Sequence, residues 1–226
     1  MPDIKKKSTV RSKGFPAKLW IVFVLFVFVL LIFWLITHEI VIEKETGIDM
    51  AVSNFMKSQA SDNLTGIFKF ITFFGSRNFL LPAYIIIIVY YFFFKKKPNR
   101  YLGIAVVSLS GAGILFLFKN IFKRERPINS LIENESSFSY PSGHSFSAFV
   151  LCGILIYLFY NSNLNTTWKW ICSLVVFLLA VLVAVSRIYL HVHYASDVLA
   201  GFCLSLIWMT ICFYTFKHIN LIRCNK

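Results

Sequence analysis

The sequence predicts an all-α membrane protein: a six-helix transmembrane bundle with both termini cytoplasmic, so that alternate helix ends meet the outer membrane-water interface. Three observations predict it. Of the 226 residues 58% are hydrophobic and 25 are phenylalanine, whereas an ordinary soluble domain is nearer half apolar. Six apolar runs meet or approach the roughly 20 residues needed to cross about 30 Å of hydrocarbon. Lysine and arginine collect in alternate connecting segments, as the positive-inside rule requires. Soluble, fibrous and disordered classes are set aside.

The first helix is expected at 19–37, "LWIVFVLFVFVLLIFWLIT", behind a basic tail (residues 1–18) that holds Lys5, Lys6, Lys7, Arg11, Lys13 and Lys18. A signal peptide shares that order of charge and oil, but this run is long and no small-residue cleavage site follows it, so it reads as a retained span. The second helix is expected at 71–94, with Gly75, Ser76 and Arg77 marking its outer end. The remaining four are expected at 100–121, 143–161, 169–188 and 195–216. Between the first and second, "TGIDMAVSNFMKSQASDNL" spaces Ile48, Val52, Phe55 and Met56 for one face of a helix. A short helix lying in the membrane interface and an ordinary solvated helix both satisfy that pattern. No internal repeat or second domain is evident, so residues 1–226 read as one integral membrane domain. Cys152, Cys172, Cys203 and Cys212 sit inside apolar runs and read as small apolar fillers.

Orientation follows from charge. With a cytoplasmic N-terminus, the inner segments are residues 1–18, "KKKPNR", "NSNLNTTWK" and "KHINLIRCNK", with six, four, one and three basic residues against one acid, Asp3. The outer segments hold nine bases and nine acids, so the formal +13 belongs to the inner side. That basic face matches topology and anionic lipid; nucleic acid binding would call for a soluble module that this sequence does not contain.

Two outer segments depart from the rule. "KNIFKRERPINS" carries Lys119, Lys123, Arg124 and Arg126 where few cations are expected. Such a cluster calls for an anion, either a ligand or the neighbouring Glu125, Glu133 and Glu135. In "YPSGHSFSAFV" Pro141 and Ser142 are helix-start residues and Gly143 leaves room for a ligand against the backbone. The first N–H groups of a helix lack internal partners and carry the positive end of its dipole. Ser142 and Gly143 are thus placed to donate to phosphate oxygens, with His144 beside them to exchange a proton.

The third piece is "SRIYLHVHYASD". His193 and Asp197 are i and i+4, so on a helix they would share a face, and the carboxylate would fix one imidazole nitrogen and free the other for attack. His191 lacks that relation to Asp197. A metal pair is the alternative for "HVH", but alternate residues point apart on a helix and no carboxylate and histidine cluster completes a shell. Arg187 adds a guanidinium fork suited to phosphate oxygens, as do Arg126 and, as a point charge, Lys119. If the third helix continues past Lys119, Arg126 lies two turns along it.

K-x6-RP in "KNIFKRERP", the intact "PSGH" and SR-x5-H-x3-D in "SRIYLHVHYASD", in this order, resemble the three signature motifs of the type-2 phosphatidic acid phosphatase family. These membrane-bound lipid phosphatases are related to vanadium haloperoxidases and bacterial acid phosphatases. The resemblance covers Lys119 to Asp197 by motif and nearly the whole chain by layout. It implies that His193 attacks phosphorus to form a phosphohistidine, that Asp197 orients it, and that His144 protonates the leaving oxygen and then activates water. It implies that Lys119, Arg126, Arg187, Ser142 and Gly143 hold the phosphoryl oxygens, with no metal and no cofactor. The partners implied are the bilayer and a lipid phosphate: undecaprenyl pyrophosphate, phosphatidylglycerophosphate or phosphatidic acid. No obligate protein partner is evident, and a multi-pass protein of a bacterial plasma membrane is expected. A transporter would want its charges near the midplane. A non-catalytic lipid-binding protein would keep the cations without needing His144, His193 and Asp197 together.

Overall fold

The computed structural model describes residues 17–42, 46–128, 130–132 and 137–218. Residues 1–16 of the basic tail, Glu133, Glu135 and the last eight residues lie outside the described residues. Eight α-helices and no strand occur among those described: α1 (Ala17–Thr37), α2 (Gly47–Ser58), α3 (Asp62–Phe73), α4 (Arg77–Val89), α5 (Pro98–Phe122), α6 (Gly143–Tyr160), α7 (Thr166–Tyr189) and α8 (Ala195–His218). α1 runs on through a π-turn at His38–Ile42 and α4 through another at Tyr90–Phe94. Six stretches are long and apolar enough to cross a membrane: Leu19–Ile40, Asp62–Phe94, Pro98–Phe122, Gly143–Tyr160, Thr166–Tyr189 and Ala195–His218. This is a multi-pass membrane protein.

The helices start where the sequence provides donors' partners. Ser142 caps α6 by accepting from the Ser145 N–H, Asn165 caps α7 by accepting from Trp168, and Pro98 occupies the first turn of α5. α1 is apolar all round and leaves Trp20, Phe23 and Trp34 more than half exposed, as a lipid-facing helix does. The most enclosed helices are α6 and α8. Phe146, Val150, Ile154 and Leu158 recur every fourth residue on α6 and meet Leu204, Cys212 and Phe216 of α8 with Ile104 and Val107 of α5. On the other side of α6, Ala148 and Cys152 meet Ala180 and Val183, where small side chains let α7 approach.

Two helix boundaries and one apolar stripe differ from expectation. The helix expected from residue 71 is divided: α3 begins at Asp62, and Phe74–Ser76 break the path before α4. The stretch from Arg77 to Phe94 alone rises about 27 Å, enough to cross the hydrocarbon core. α3 is instead spent on the polar end of α7, where Phe68 stacks on Tyr189 at 4.4 Å between ring centroids. α5 does not continue past Lys119 to carry Arg126. It stops at Phe122 because Lys123 turns left-handed at φ 47, and Pro127 then forbids resumption. α2 is real, but its stripe is split: Val52 and Met56 turn inward beside Asp49 and Ser53, while Ile48 and Phe55 are exposed.

α6 and α8 cross in near contact of their backbones. A Cβ at Gly201 would lie 2.7 Å from the Ser142 carbonyl oxygen and 3.3 Å from the Phe146 nitrogen. Gly201→Ala is therefore expected to lower the thermal midpoint in detergent by the equivalent of about 1–3 kcal/mol. Gly113→Ala, whose Cβ would meet nothing within 4 Å, is the control and is expected to leave that midpoint unchanged or raise it.

Candidate active site

All three polar motifs converge at one end of the bundle. α7 ends in a turn in which the Val192 and His193 N–H groups both donate to the Arg187 carbonyl at 3.2 Å, and His191 takes φ 52. The turn sends the two histidines apart. His191 Nδ1 lies 3.2 Å from Ser53 Oγ on α2, whereas His193 points into the cluster. His193 is thus not on a helix with Asp197, as the i,i+4 spacing suggested. Asp197 is the third residue of α8, and its Oδ2 reaches back to accept the Tyr194 N–H at 2.9 Å, a capping-box reach that brings the carboxylate to the imidazole.

Around His193 the hydrogen bonds assign the tautomer. Nδ1 is 3.2 Å from Ser139 Oγ and 3.6 Å from Asp197 Oδ2, and the Ser139 hydroxyl donates to that same Oδ2 at 2.5 Å. With the serine proton given to the carboxylate, Nδ1 must carry its own hydrogen and donate, which leaves Nε2 as the acceptor. Arg126 Nη1 stands 3.4 Å from that Nε2. Burial pushes the imidazole down to about 4; Asp197 opposes that shift, and Arg126 and Arg187 add to it. His193 is therefore neutral at neutral pH.

The cations arrive from different elements. Arg126, on the loop after α5, is braced by Ser137 O at 2.7 Å, Ser137 Oγ at 3.1 Å and Val192 O at 2.9 Å. Arg187 is buried in the last turn of α7, and its Nη1 donates to Thr72 Oγ1 at 2.9 Å. Lys119, in the last turn of α5, donates to the Phe138 carbonyl and lies with its Cε 3.7 Å from where a Gly143 Cβ would be. His144 is half-buried against the α3–α4 break, where a Cβ at Gly75 would come within 3.1 Å of its ring and 2.5 Å of Val183.

One detail of the helix start differs from expectation. The Ser142 N–H donates to the Asp197 carbonyl at 2.9 Å, so this backbone group holds α6 to α8 and does not face a ligand. The anion-binding capacity of that end belongs to the Gly143 end of α6 and the Ser142 hydroxyl, which also accepts from Ser145 Oγ at 3.0 Å.

Four participants were not singled out as site residues from the sequence: Ser139, Thr72, Arg124 and Asp49. Ser139 sits three residues before Ser142, and only the fold shows that it touches His193. Arg124 belongs to the outer cation cluster, but its partners are the distant Asp197 at 2.6 Å and Asp49 at 2.7 Å. A lone acid beside an apolar helical stripe was the available signal for Asp49.

A buried histidine and carboxylate, a capped helix start and converging guanidiniums lie together at one end of a helical membrane bundle, the arrangement a membrane-embedded phosphatase would need. Residues 100–220 match the PAP2 superfamily, and the chain belongs to that family of lipid phosphatases. It is 32% identical over 186 residues to phosphatidylglycerophosphatase B of Bacillus subtilis (strain 168), covering 81% of this chain and 88% of that one. It is 26% identical over 193 residues to an undecaprenyl-diphosphatase of Sulfolobus acidocaldarius, covering 82% and 84%. The fold matches the crystal structure of the PAP2-type phosphatidylglycerolphosphate phosphatase from Bacillus subtilis with a TM-score of 0.79 at 29% identity, over 88% of this chain and 98% of that one.

Proposed function

We propose that this chain, as one catalytic unit, hydrolyses a phosphate monoester or pyrophosphate on a membrane lipid through a phosphohistidine, without a metal. His193 Nε2 attacks phosphorus with its lone pair, and the bond from phosphorus to the leaving oxygen breaks. That oxygen takes a proton from His144. Water then gives a proton to His144 and attacks the phosphohistidine, which releases inorganic phosphate and restores both histidines. Asp197 orients His193 and balances the charge that develops on it. Lys119, Arg126, Arg187, the Ser142 hydroxyl and the Gly143 N–H hold the phosphoryl oxygens, where fixed donors favour the charge of the transition state.

The observation that carries the reading is the aim of His193: its Nδ1 is engaged by Ser139 and Asp197 while its Nε2 faces Arg126. A neutral nitrogen whose lone pair meets a guanidinium fork is the arrangement an arriving phosphoryl group needs. The count of lysines and arginines over the connecting segments supports cytoplasmic termini and an active site on the outer face of a bacterial plasma membrane. The names of the relatives favour undecaprenyl pyrophosphate and phosphatidylglycerophosphate as substrates, with phosphatidic acid as a third candidate.

The test is phosphate release by detergent-purified protein from these three lipids in excess chelator. Release that is undiminished by chelator is expected, and the relative rates select the substrate. Lipid binding without release from any of the three would return the site to the binding-protein reading.

A further inference from the structure

The inner face of α2 reaches the reaction centre through one arginine. Arg124 is 10% exposed at its side chain and lies between two buried carboxylates. Its Nη1 donates to Asp197 Oδ1 at 2.6 Å and to Ser196 Oγ at 2.8 Å, its Nη2 donates to Asp49 Oδ2 at 2.7 Å, and its guanidinium covers the Tyr194 ring at 4.2 Å. Asp49 also accepts from the Ser196 N–H at 2.9 Å and the Ser196 hydroxyl at 2.5 Å. A carboxylate from α2 therefore caps the first turn of α8 from outside that helix, two residues from His193's neighbour Tyr194.

We propose that Asp49 is a positioning residue for the His193–Asp197 pair and that it acts through Arg124. The inference rests on His193 being the nucleophile. The two oxygens of Asp197 have separate work. Oδ1 takes Arg124, while Oδ2 takes Ser139, the Tyr194 N–H and the 3.6 Å approach of His193 Nδ1. A small rotation of the carboxylate decides whether Nδ1 bonds Asp197 or Ser139. That rotation is set by Arg124, a long side chain whose second edge is held only if Asp49 is charged and in place. Burying one cation and two anions is costly, and each removal leaves a partner uncompensated, so the three act as a unit. With a single carboxylate, Arg124 would neutralise Asp197 fully and weaken its hold on the imidazolium. Asp49 shares the guanidinium and leaves negative charge on Oδ2.

The test compares Asp49→Asn, Arg124→Met and the double variant with His193→Ala in one phosphate-release assay on undecaprenyl pyrophosphate in detergent. Asp49→Asn is expected to lower kcat about 10-fold or more with KM within about twofold. The double variant is expected to match Arg124→Met, since Asp49 has nothing to act on once Arg124 is gone. Ser196→Ala, which keeps all three charges, serves if Arg124→Met does not fold, and it is expected to lose kcat severalfold. Wild-type kcat in Asp49→Asn, or losses that multiply in the double variant, would overturn the inference while leaving an inactive His193→Ala to uphold the nucleophile. A fully active His193→Ala would instead overturn the reading on which it rests.

Discussion

His193→Ala is expected to lower lipid phosphate release by on the order of 10⁴-fold or more, because in the proposed mechanism it removes the atom to which phosphorus bonds. The loss should fall on kcat, since Arg126, Arg187 and Lys119 remain to bind the phosphate. Quenching the native enzyme in alkaline denaturant during turnover of radiolabelled substrate should trap label that survives base and is released by acid, and the variant should trap none. Label trapped on the variant would place the nucleophile elsewhere. The same histidine sets the acid side of the pH profile. Its folded pKa lies at about 4, below its ordinary value, by burial. The neutral, nucleophilic form therefore persists down to about pH 4, and kcat/KM should not fall with a midpoint near ~6.5, the pKa of a free histidine. The sign for stability follows from the same depression. The contribution is fully present above the unfolded value, and it is lost as pH falls from ~6.5 through about 4, where the unfolded chain binds a proton that the native state refuses.

Asp197→Asn is expected to be the second most damaging change, with kcat down by ~10³–10⁴-fold and a clear loss of thermal stability. Asp197 is fully buried and accepts from Arg124, Ser139 and the Tyr194 N–H while approaching His193. An amide in its place must turn an NH₂ toward donors on one side or the other. Turned toward Oδ2's partners, it opposes Ser139 and the Nδ1–H and forces the wrong imidazole tautomer; turned toward Arg124, it places two donors face to face. A kcat loss with an unchanged melting midpoint would show that the buried network tolerates the amide and that only the tautomer matters. Wild-type turnover would remove Asp197 from the mechanism.

Much of the candidate site was legible in one dimension because the residues proposed for its chemistry lie in short, ordered motifs. Lys119, Arg126, Ser142, Gly143, His144, Arg187, His193 and Asp197 could all be picked out, and the fold brings them to one end of the bundle. What misled the sequence reading was local geometry. The i,i+4 spacing of His193 and Asp197 suggested a shared helical face, yet the pair meets across a turn because Asp197 caps α8 backwards onto Tyr194. Lys119 and Arg126 suggested two turns of one helix, yet Lys123 ends α5 and Arg126 reaches in from a loop braced by Ser137. Spacing is a statement about one conformation, and each of these segments adopts another.

The sequence by itself determined that the chain crosses a membrane in six apolar stretches and that its motifs are those of a family of lipid phosphatases. Those properties depend on composition and on motifs within one segment, and hydrocarbon admits few alternatives to helices. Only the tertiary structure decided which tautomer His193 adopts, that Ser139 and Thr72 brace the site, that α3 packs on α7, and that Asp49 is joined to Asp197 through Arg124. These are contacts between residues up to 147 apart, as from Asp49 to Ser196. They are fixed by the burial of charges that must find partners across the fold, and no local pattern records that requirement.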